Sequence, residues 1–459
     1  MGDIMPIWIV NTPTTATPQA AGGRSRKAVP VALPELAGGR NCRLRQYTKK
    51  HIPSVTISSD VIAYASPDST FAVTKRLFDG AKKSILIGIY DFSAPHMREL
   101  LLNAMARGVK VSLMLDIDSE DEKRLFDELV EMGVTGVEAP SCANDTVRFF
   151  SSSHEKVIVI DDTWTMVQSG NYSDNSIPLN VDDGGNGAGF RTGNRDAGIA
   201  VRSAALAKLF TEILRDDMKL VKATPQLLRR MPQPAVFLVE RAPAKIPAKL
   251  FPSLKMNLAS RLTVRPVLTP DNYMQVVPSL LRNAKKSVLI EQQYIRADGE
   301  KHPNVHLLLD AIAEAQQSNP RLDVRIVLGK IFNAGDLPKE QENLKILGIQ
   351  YGLVLDTNIR YINTEQLVHC HNKMIIIDGA GVLVSSQNWS DSAVTKNREA
   401  GLWIPQADIA EYFKAIFETD WKAAFKTPGK GVTRTPRATP QSLRQGGFVK
   451  VALADYEEV

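Results

Sequence analysis

The sequence predicts an α/β protein made of two copies of one lobe, each a mixed β-sheet flanked by helices. Three observations carry this. Ser66 to Ile87 (SPDSTFAVTKRLFDGAKKSILI) and Thr269 to Ile290 (TPDNYMQVVPSLLRNAKKSVLI) align without a gap at an offset of 203 residues, Ser66 onto Thr269. Each copy continues into a helical pattern and a second apolar strand: Met97 to Arg107 then Val109 to Leu115, and Val305 to Gln317 then Val324 to Leu328. Finally, Ser153 to Asn171 and Val368 to Trp389 repeat one set of spaced polar residues around two apolar runs. Alternation of strand and helix is the pattern of a parallel or mixed sheet covered by helices.

Taken in order, the chain opens with MGDIMPIWIV, an apolar patch too short to cross a bilayer and without a basic flank. Gly2 lacks a Ser or Thr at the sixth position, so no myristoylation is expected. Thr12 to Arg40 is rich in Ala, Thr, Pro and Gly, and residues 1–55 are expected to be a poorly ordered lead-in. Lobe 1 is placed at 56–222. In both copies Pro-Asp opens a helix that ends near Ala-Lys-Lys-Ser, and an apolar strand follows. The Gly-rich stretch at 179–193 has no periodicity and reads as a loop at the rim of a cleft, either a gate or a tolerated insertion. Residues 223–260, dense in Pro, Lys and Arg up to Pro252, read as the linker, and lobe 2 is placed at 261–425. The tail 426–459 is Pro- and Gly-rich, and Lys430, Arg434, Arg437, Arg444 and Lys450 make it a flexible basic arm, solvated or lying on an anionic surface.

Composition limits the function classes without choosing among them. An apolar fraction of 44% is ample for a core, and a net charge of +6 suits an anionic substrate, a lipid headgroup or nucleic acid alike. Cys42, Cys142 and Cys370 are odd in number and scattered, which predicts no disulfide framework and no paired-cysteine metal site. His369-Cys370-His371 is no metal cluster either, because in a strand Cys370 faces away from both neighbours. No metal or other cofactor is called for. With neither a signal peptide nor a membrane span in view, the protein is expected in the cytoplasm or exported by a signal-independent route.

The chemistry resides in the polar repeat. His154, Lys156 and Asp161 are spaced H-x-K-x4-D, as are His371, Lys373 and Asp378. Side chains at i and i+2 share one face of a strand, so His154 projects with Lys156, and His371 with Lys373. The second apolar run of each copy makes a hairpin whose exit delivers Ser169 and Asn171, or Ser386 and Asn388, to the same place. A lone H-x-K is ordinarily an exposed strand edge; two, each followed by Ser-x-Asn, are not. Two imidazoles, two ammonium groups and two amides make a cationic pocket for a phosphodiester.

With these residues the chain resembles the phospholipase D superfamily, whose members carry two H-x-K-x4-D motifs, each followed by Gly-Ser-x-Asn. It departs at the Gly, which is Gln168 in the first copy and Ser385 in the second. The resemblance spans about residues 60–425. It implies phospholipase D-like lobes related by a pseudo-twofold axis, with the active site between them. It further implies a phosphohistidine intermediate, His154 as nucleophile and His371 as general acid/base. Lys156, Lys373, Asn171 and Asn388 would hold the phosphate, helped by Ser169 and Ser386. Asp196 and Glu399, in the matching segments Asn194-Arg195-Asp196 and Asn397-Arg398-Glu399, would orient the histidines. Asp161 and Asp378 would hold local structure. The expected activity is metal-independent hydrolysis of phospholipid headgroups to phosphatidate, acting at a membrane surface. A nuclease, a phosphatidyltransferase and a non-enzymatic scaffold are the alternatives, the last disfavoured because both motifs are complete. One chain supplies both half-sites, so a monomer suffices.

Overall fold

The computed structural model describes residues 42–178, 193–221, 251–298, 301–331 and 334–428. The apolar N-terminal patch, most of the lead-in, nearly all of the Gly-rich loop, the Pro-rich part of the linker and the basic tail after residue 428 lie outside the described residues.

The first half runs β1 (Val55–Ile57), β2 (Asp60–Ser66), α1 (Thr70–Asp79), β3 (Ser84–Ile89), α2 (Pro95–Ala106), β4 (Lys110–Leu115), α3 (Glu120–Glu131), β5 (Thr135–Glu138), β6 (Lys156–Ile160), β7 (Trp164–Gln168), β8 (Asp196–Arg202) and α4 (Ala204–Lys219). The second runs β9 (Leu254–Asn257), β10 (Leu262–Thr269), α5 (Tyr273–Arg282), β11 (Ser287–Gln292), α6 (Pro303–Ser318), β12 (Asp323–Leu328), α7 (Leu337–Tyr351), β13 (Ile359–Tyr361), β14 (Lys373–Ile377), β15 (Gly381–Ser385), α8 (Asp391–Thr395), β16 (Glu399–Ile404) and α9 (Ala407–Ala423).

The strands form two sheets of like order, β9-β2-β8-β7-β6-β3-β4-β5 and β1-β10-β16-β15-β14-β11-β12-β13. Crossover helices make β3, β4 and β5 parallel, whereas β6–β7 and β14–β15 are antiparallel hairpins, so each sheet is mixed. The outermost strands are exchanged. β1 straddles the start of the stretch read as lobe 1 but pairs with β10 of lobe 2, and β9 falls inside the stretch read as linker but pairs with β2 of lobe 1. Sequence periodicity does not register either strand, since they are three and four residues long.

Alternation along the buried strands divides the core into layers. Val157 and Val159 face a shared interior with Ile376, Val384, Phe210 of α4 and Phe413 of α9. Ile158 and Ile160 face the outer layer of α1, α2 and α3, and Ile375 and Ile377 face that of α5 and α6. The two sheets are thus joined through one continuous apolar interior.

The hairpin turns explain the aspartates of the motif. Asp161 and Asp162 have φ of 54° and 55°, and Asp378 and Gly379 have 59° and 62°, the left-handed pair that a tight hairpin requires. The Asp161 carboxylate accepts backbone N–H bonds from Lys82, Lys83 and Ser84 at 2.8, 2.7 and 2.9 Å. Asp378 does the same for Lys285, Lys286 and Ser287. The Ala-Lys-Lys-Ser repeat is therefore the partner of the motif aspartate.

One expectation is overturned. Cys42 and Cys142 form a disulfide across a sequence separation of 100 residues, with Cα atoms 5.9 Å apart. Spacing hid the pair because residue 42 belongs to a strap that crosses between the lobes. Arg45 donates its backbone N–H to Arg148 at 2.8 Å, the Tyr47 ring packs 5.1 Å from that of Phe150, and Lys50 N–H reaches Asp271 of lobe 2 at 2.7 Å. Cys370 is a free, buried thiol.

Candidate active site

Lys156 and Lys373 each open the first strand of a hairpin, and His154 and His371 lie two residues earlier. The segment holding each histidine is pinned to the opposite lobe by backbone bonds. His154 N–H donates to Arg398 O at 2.8 Å and Arg398 N–H to Ser152 O at 2.8 Å. His371 N–H donates to Arg195 O at 3.0 Å and Arg195 N–H to His369 O at 2.8 Å. The residue after each arginine is an acid, which this pairing carries to the histidine of the other lobe. His154 Nδ1 lies 2.8 Å from Glu399 Oε2, and His371 Nδ1 lies 3.0 Å from Asp196 Oδ1.

The arginines are buried struts. Arg195 binds Asp420 of α9 at 2.6 and 3.1 Å and Asp68 at 3.4 Å. Arg398 mirrors it, with Asp217 of α4 at 2.7 Å and Asp271 at 2.6 Å, and adds the Tyr47 hydroxyl of the strap at 2.7 Å. Removing either guanidinium would leave buried carboxylates unpaired, at a cost of about 3–5 kcal/mol.

Ser169 and Ser386, expected on the phosphate, are turned to the carboxylates instead. Ser169 Oγ donates to Asp196 at 2.8 Å and Ser386 Oγ to Glu399 at 2.6 Å, while each accepts a backbone N–H at 3.0 Å, from Ala197 and Ala400. Both are fully buried and positioned to orient the acid. Gly170 is demanded by the same contact, since a Cβ there would lie 2.9 Å from the Asp196 carboxyl. The departures at Gln168 and Ser385 leave the turn intact: Gln168 is held by Tyr64 and Gly170, and Ser385 donates to Lys373 O at 2.8 Å.

Asn171 and Asn388 are buried, and each keeps an amide oxygen without a hydrogen-bond partner among the described residues. Such a group in a closed cleft is suited to a ligand. The two ammonium groups are also buried. Lys156 Nζ donates to His154 O at 2.7 Å and Lys373 Nζ to His371 O at 2.5 Å.

Sequence reasoning missed the floor of the site. The Tyr90 ring packs 4.8 Å from that of His154, and Lys156 Nζ lies 5.3 Å over it. Gln293, at the matching position of lobe 2, reaches Lys373 Nζ at 3.4 Å. Both follow the strand after Ala-Lys-Lys-Ser, and the 203-residue offset pairs them, which is the signal that could have found them. Asn397 likewise donates to Glu399 Oε1 at 3.0 Å.

Burial governs the protonation states. It holds Lys156 down to about 8 against the pull of Glu399 and Glu155, and Lys373 down to about 7 against that of Asp196. Burial and Lys373 hold His371 down to about 4, and burial with both lysines puts His154 well below its usual value. The carboxylates differ. Burial pushes Glu399 up to about 8, whereas Asp196, also pushed up by burial, is carried below its ordinary value by His371 and Lys373. Neutral imidazoles with Nδ1 engaged present Nε2 for chemistry, one able to attack and the other to carry a proton. No set of three or more His, Cys, Asp or Glu side chains among the described residues is grouped to hold a metal ion.

A two-lobed α/β fold with paired imidazoles and lysines between its lobes is thereby defined. The family model described as "Cardiolipin synthase, PLD-like domain" matches twice, over residues 74–218 and 277–421, more than half of the chain. Mitochondrial cardiolipin hydrolase of Mus musculus is 29% identical over 75 residues, 16% of this chain and 34% of that protein. The DISARM protein DrmC of Bacillus paralicheniformis is 30% identical over 121 residues, 25% of this chain and 48% of that protein. The alignments thus span less than half the length of these curated relatives. The crystal structure of phosphatidylserine synthase from Haemophilus influenzae superposes with a TM-score of 0.55 at 15% identity, over 83% of this chain and 90% of that one, and shares the fold. The chain belongs to the phospholipase D superfamily. Both copies of its duplicated domain carry the H-x-K-x4-D motif.

Proposed function

We propose that the protein hydrolyses phospholipid headgroup esters to phosphatidate, through a phosphohistidine intermediate and without a metal. The observation that carries this reading is the crossed pairing of each imidazole with a carboxylate of the opposite lobe. The site is whole only when both lobes meet, and one chain supplies both, so the acting species is a monomer.

In the first step His154 Nε2 attacks phosphorus, the bond to the headgroup oxygen breaks, and His371 gives that oxygen its proton. Lys156, Lys373, Asn171 and Asn388 hold the non-bridging oxygens as negative charge builds. The bound anion reverses the local field that keeps the imidazoles neutral, which raises His371 into its proton-donating form. In the second step water loses a proton to His371 and attacks phosphorus, and the P–N bond breaks to restore His154. An alcohol entering in place of water would give transphosphatidylation. The names of the matched family and of the cardiolipin hydrolase support a lipid substrate.

The test offers the protein, in EDTA, mixed phospholipid vesicles in parallel with single- and double-stranded DNA. Phosphatidate in wild type but not in His154→Asn is the expected result. Cut DNA with intact lipid would make the protein a nuclease, and lipid exchange without net hydrolysis would make it a phosphatidyltransferase. No product from either substrate would retire the enzymatic reading.

A further inference from the structure

The duplication lets each lobe serve as a reference for the other. Ser84 opens β3 and pairs with Lys110 of β4; Ser287 opens β11 and pairs with Asp323 of β12. Two residues on, Ser112 corresponds to Arg325. On the helix packed against this face, Arg215 lies two residues before Asp217 of α4, as Glu418 lies two before Asp420 of α9.

In lobe 2 this face is sealed. Arg325 binds Asp323 at 3.0 and 2.9 Å and Glu418 at 3.0 and 2.6 Å, and its guanidinium lies 5.4 and 5.5 Å over the rings of Phe417 and Trp421. In lobe 1 every charged position has reversed or gone. Lys110 stands for Asp323, Arg215 for Glu418, and Ser112 for Arg325. What remains is an open groove of about 500 Å³, lined by Lys110, Arg215, Ser84, Ser112 and Thr135 with apolar side chains beside them. Neither cation has a carboxylate partner among the described residues.

We propose that this groove is a second anion-binding site that takes a phosphomonoester-type oxyanion, free or at the surface of an anionic lipid. Two cations and three hydroxyls match a dianion with several acceptor oxygens, whereas a carboxylate would leave one cation unmatched. The site is distinct from the catalytic cleft. It begins at Ser84, the first residue of β3, while Tyr90 follows the last, and six strand residues span about 17–20 Å. It does not depend on the proposed hydrolysis.

The test reads Lys110 directly, by mass spectrometry of its acetylation rate in full-length protein. Exposed Lys208, on the same helix as Arg215, serves as the internal reference. Millimolar inorganic phosphate is compared with chloride at equal ionic strength, and phosphatidylcholine vesicles with and without phosphatidate are compared in parallel. Several-fold protection of Lys110 relative to Lys208 by inorganic phosphate, by phosphatidate vesicles or by both supports the site and identifies its source of anion. Arg215→Glu, which restores the lobe 2 charge at an exposed position, is expected to abolish that protection. Equal rates throughout, equal protection by phosphatidylcholine alone, or undiminished protection in Arg215→Glu would overturn it.

Discussion

The two lobes share a frame and differ in where they hold protons. Arg195 with Asp68 and Asp420, and Arg398 with Asp271 and Asp217, are the same strut built twice. The acids beside them are not the same, since Glu399 is pushed up to about 8 while Asp196 is lowered. Behind the histidines a buried carboxyl has also changed strands. Lobe 1 has Glu155 opposite Gly88, where a Cβ would meet the Glu155 carboxyl at 2.9 Å; lobe 2 has Glu291 on the strand matching Gly88, bound by Asn372 at 2.8 Å. Each lobe keeps one buried carboxyl near the arginine of the other lobe, Glu155 near Arg398 and Glu291 near Arg195, but from a different strand. The struts that fix geometry are duplicated, while the acids beside and behind the histidines have diverged. In the proposed mechanism that divergence would suit the two like imidazoles to unlike roles.

The largest expected effect tests those roles. His154→Asn and His371→Asn should each lower turnover by about 10³-fold or more. With a p-nitrophenyl ester, whose leaving group needs no proton, only His371→Asn should accumulate phosphoenzyme, read as a p-nitrophenol burst. A burst in His154→Asn would exchange the assignments.

Next comes the pair of acids. Asp196→Asn removes a charge that stabilises the imidazolium of His371 and should cost about 10²–10⁴-fold in kcat. Burial pushes Glu399 up to about 8, so Glu399→Gln removes less charge than Asp196→Asn and should cost less than about 10-fold. Equal losses would erase the asymmetry.

Arg195→Met and Arg398→Met probe the common frame. Each should lower stability by about 3–5 kcal/mol in denaturant melts, because two buried carboxylates lose their partner. Among the described residues the strap lies on one side only, so Cys142→Ser, or reduction, should cost about 2–4 kcal/mol. No matching change is expected from Cys370→Ser, whose thiol is free.

The smallest effect concerns pH. Burial pushes the Glu155 carboxyl up to about 7, above its unfolded value near 4.5. Its contribution to stability is therefore complete below pH 4.5 and is lost as pH rises through 7. Glu155→Gln should flatten the fall in Tm between pH 5 and 8 by about 2–4 °C, followed by calorimetry. An unchanged slope would show that Glu155 is ionised in the fold.

The half-sites were legible because their chemistry is local. Histidine and lysine two apart on a strand, a tight turn, and a second strand returning Ser-x-Asn all lie within about twenty residues, where spacing decides direction. The repeated Ala-Lys-Lys-Ser set the two copies in register. The role of the serines was not legible, because a hydroxyl beside a buried acid and one beside a phosphate have the same sequence context. The disulfide was hidden by the 100 residues between its cysteines, and the exchanged strands β1 and β9 by their shortness.

By itself, then, the sequence determined the duplication, the α/β class and the identity of the paired histidines, lysines and asparagines. Only the tertiary structure decided that His154 answers to Glu399 and His371 to Asp196, that the serines serve the acids, and that Lys110 and Arg215 face an open groove. Periodicity reports which face of its own strand a residue occupies. It carries no information on which distant strand the apolar interior will press against that face.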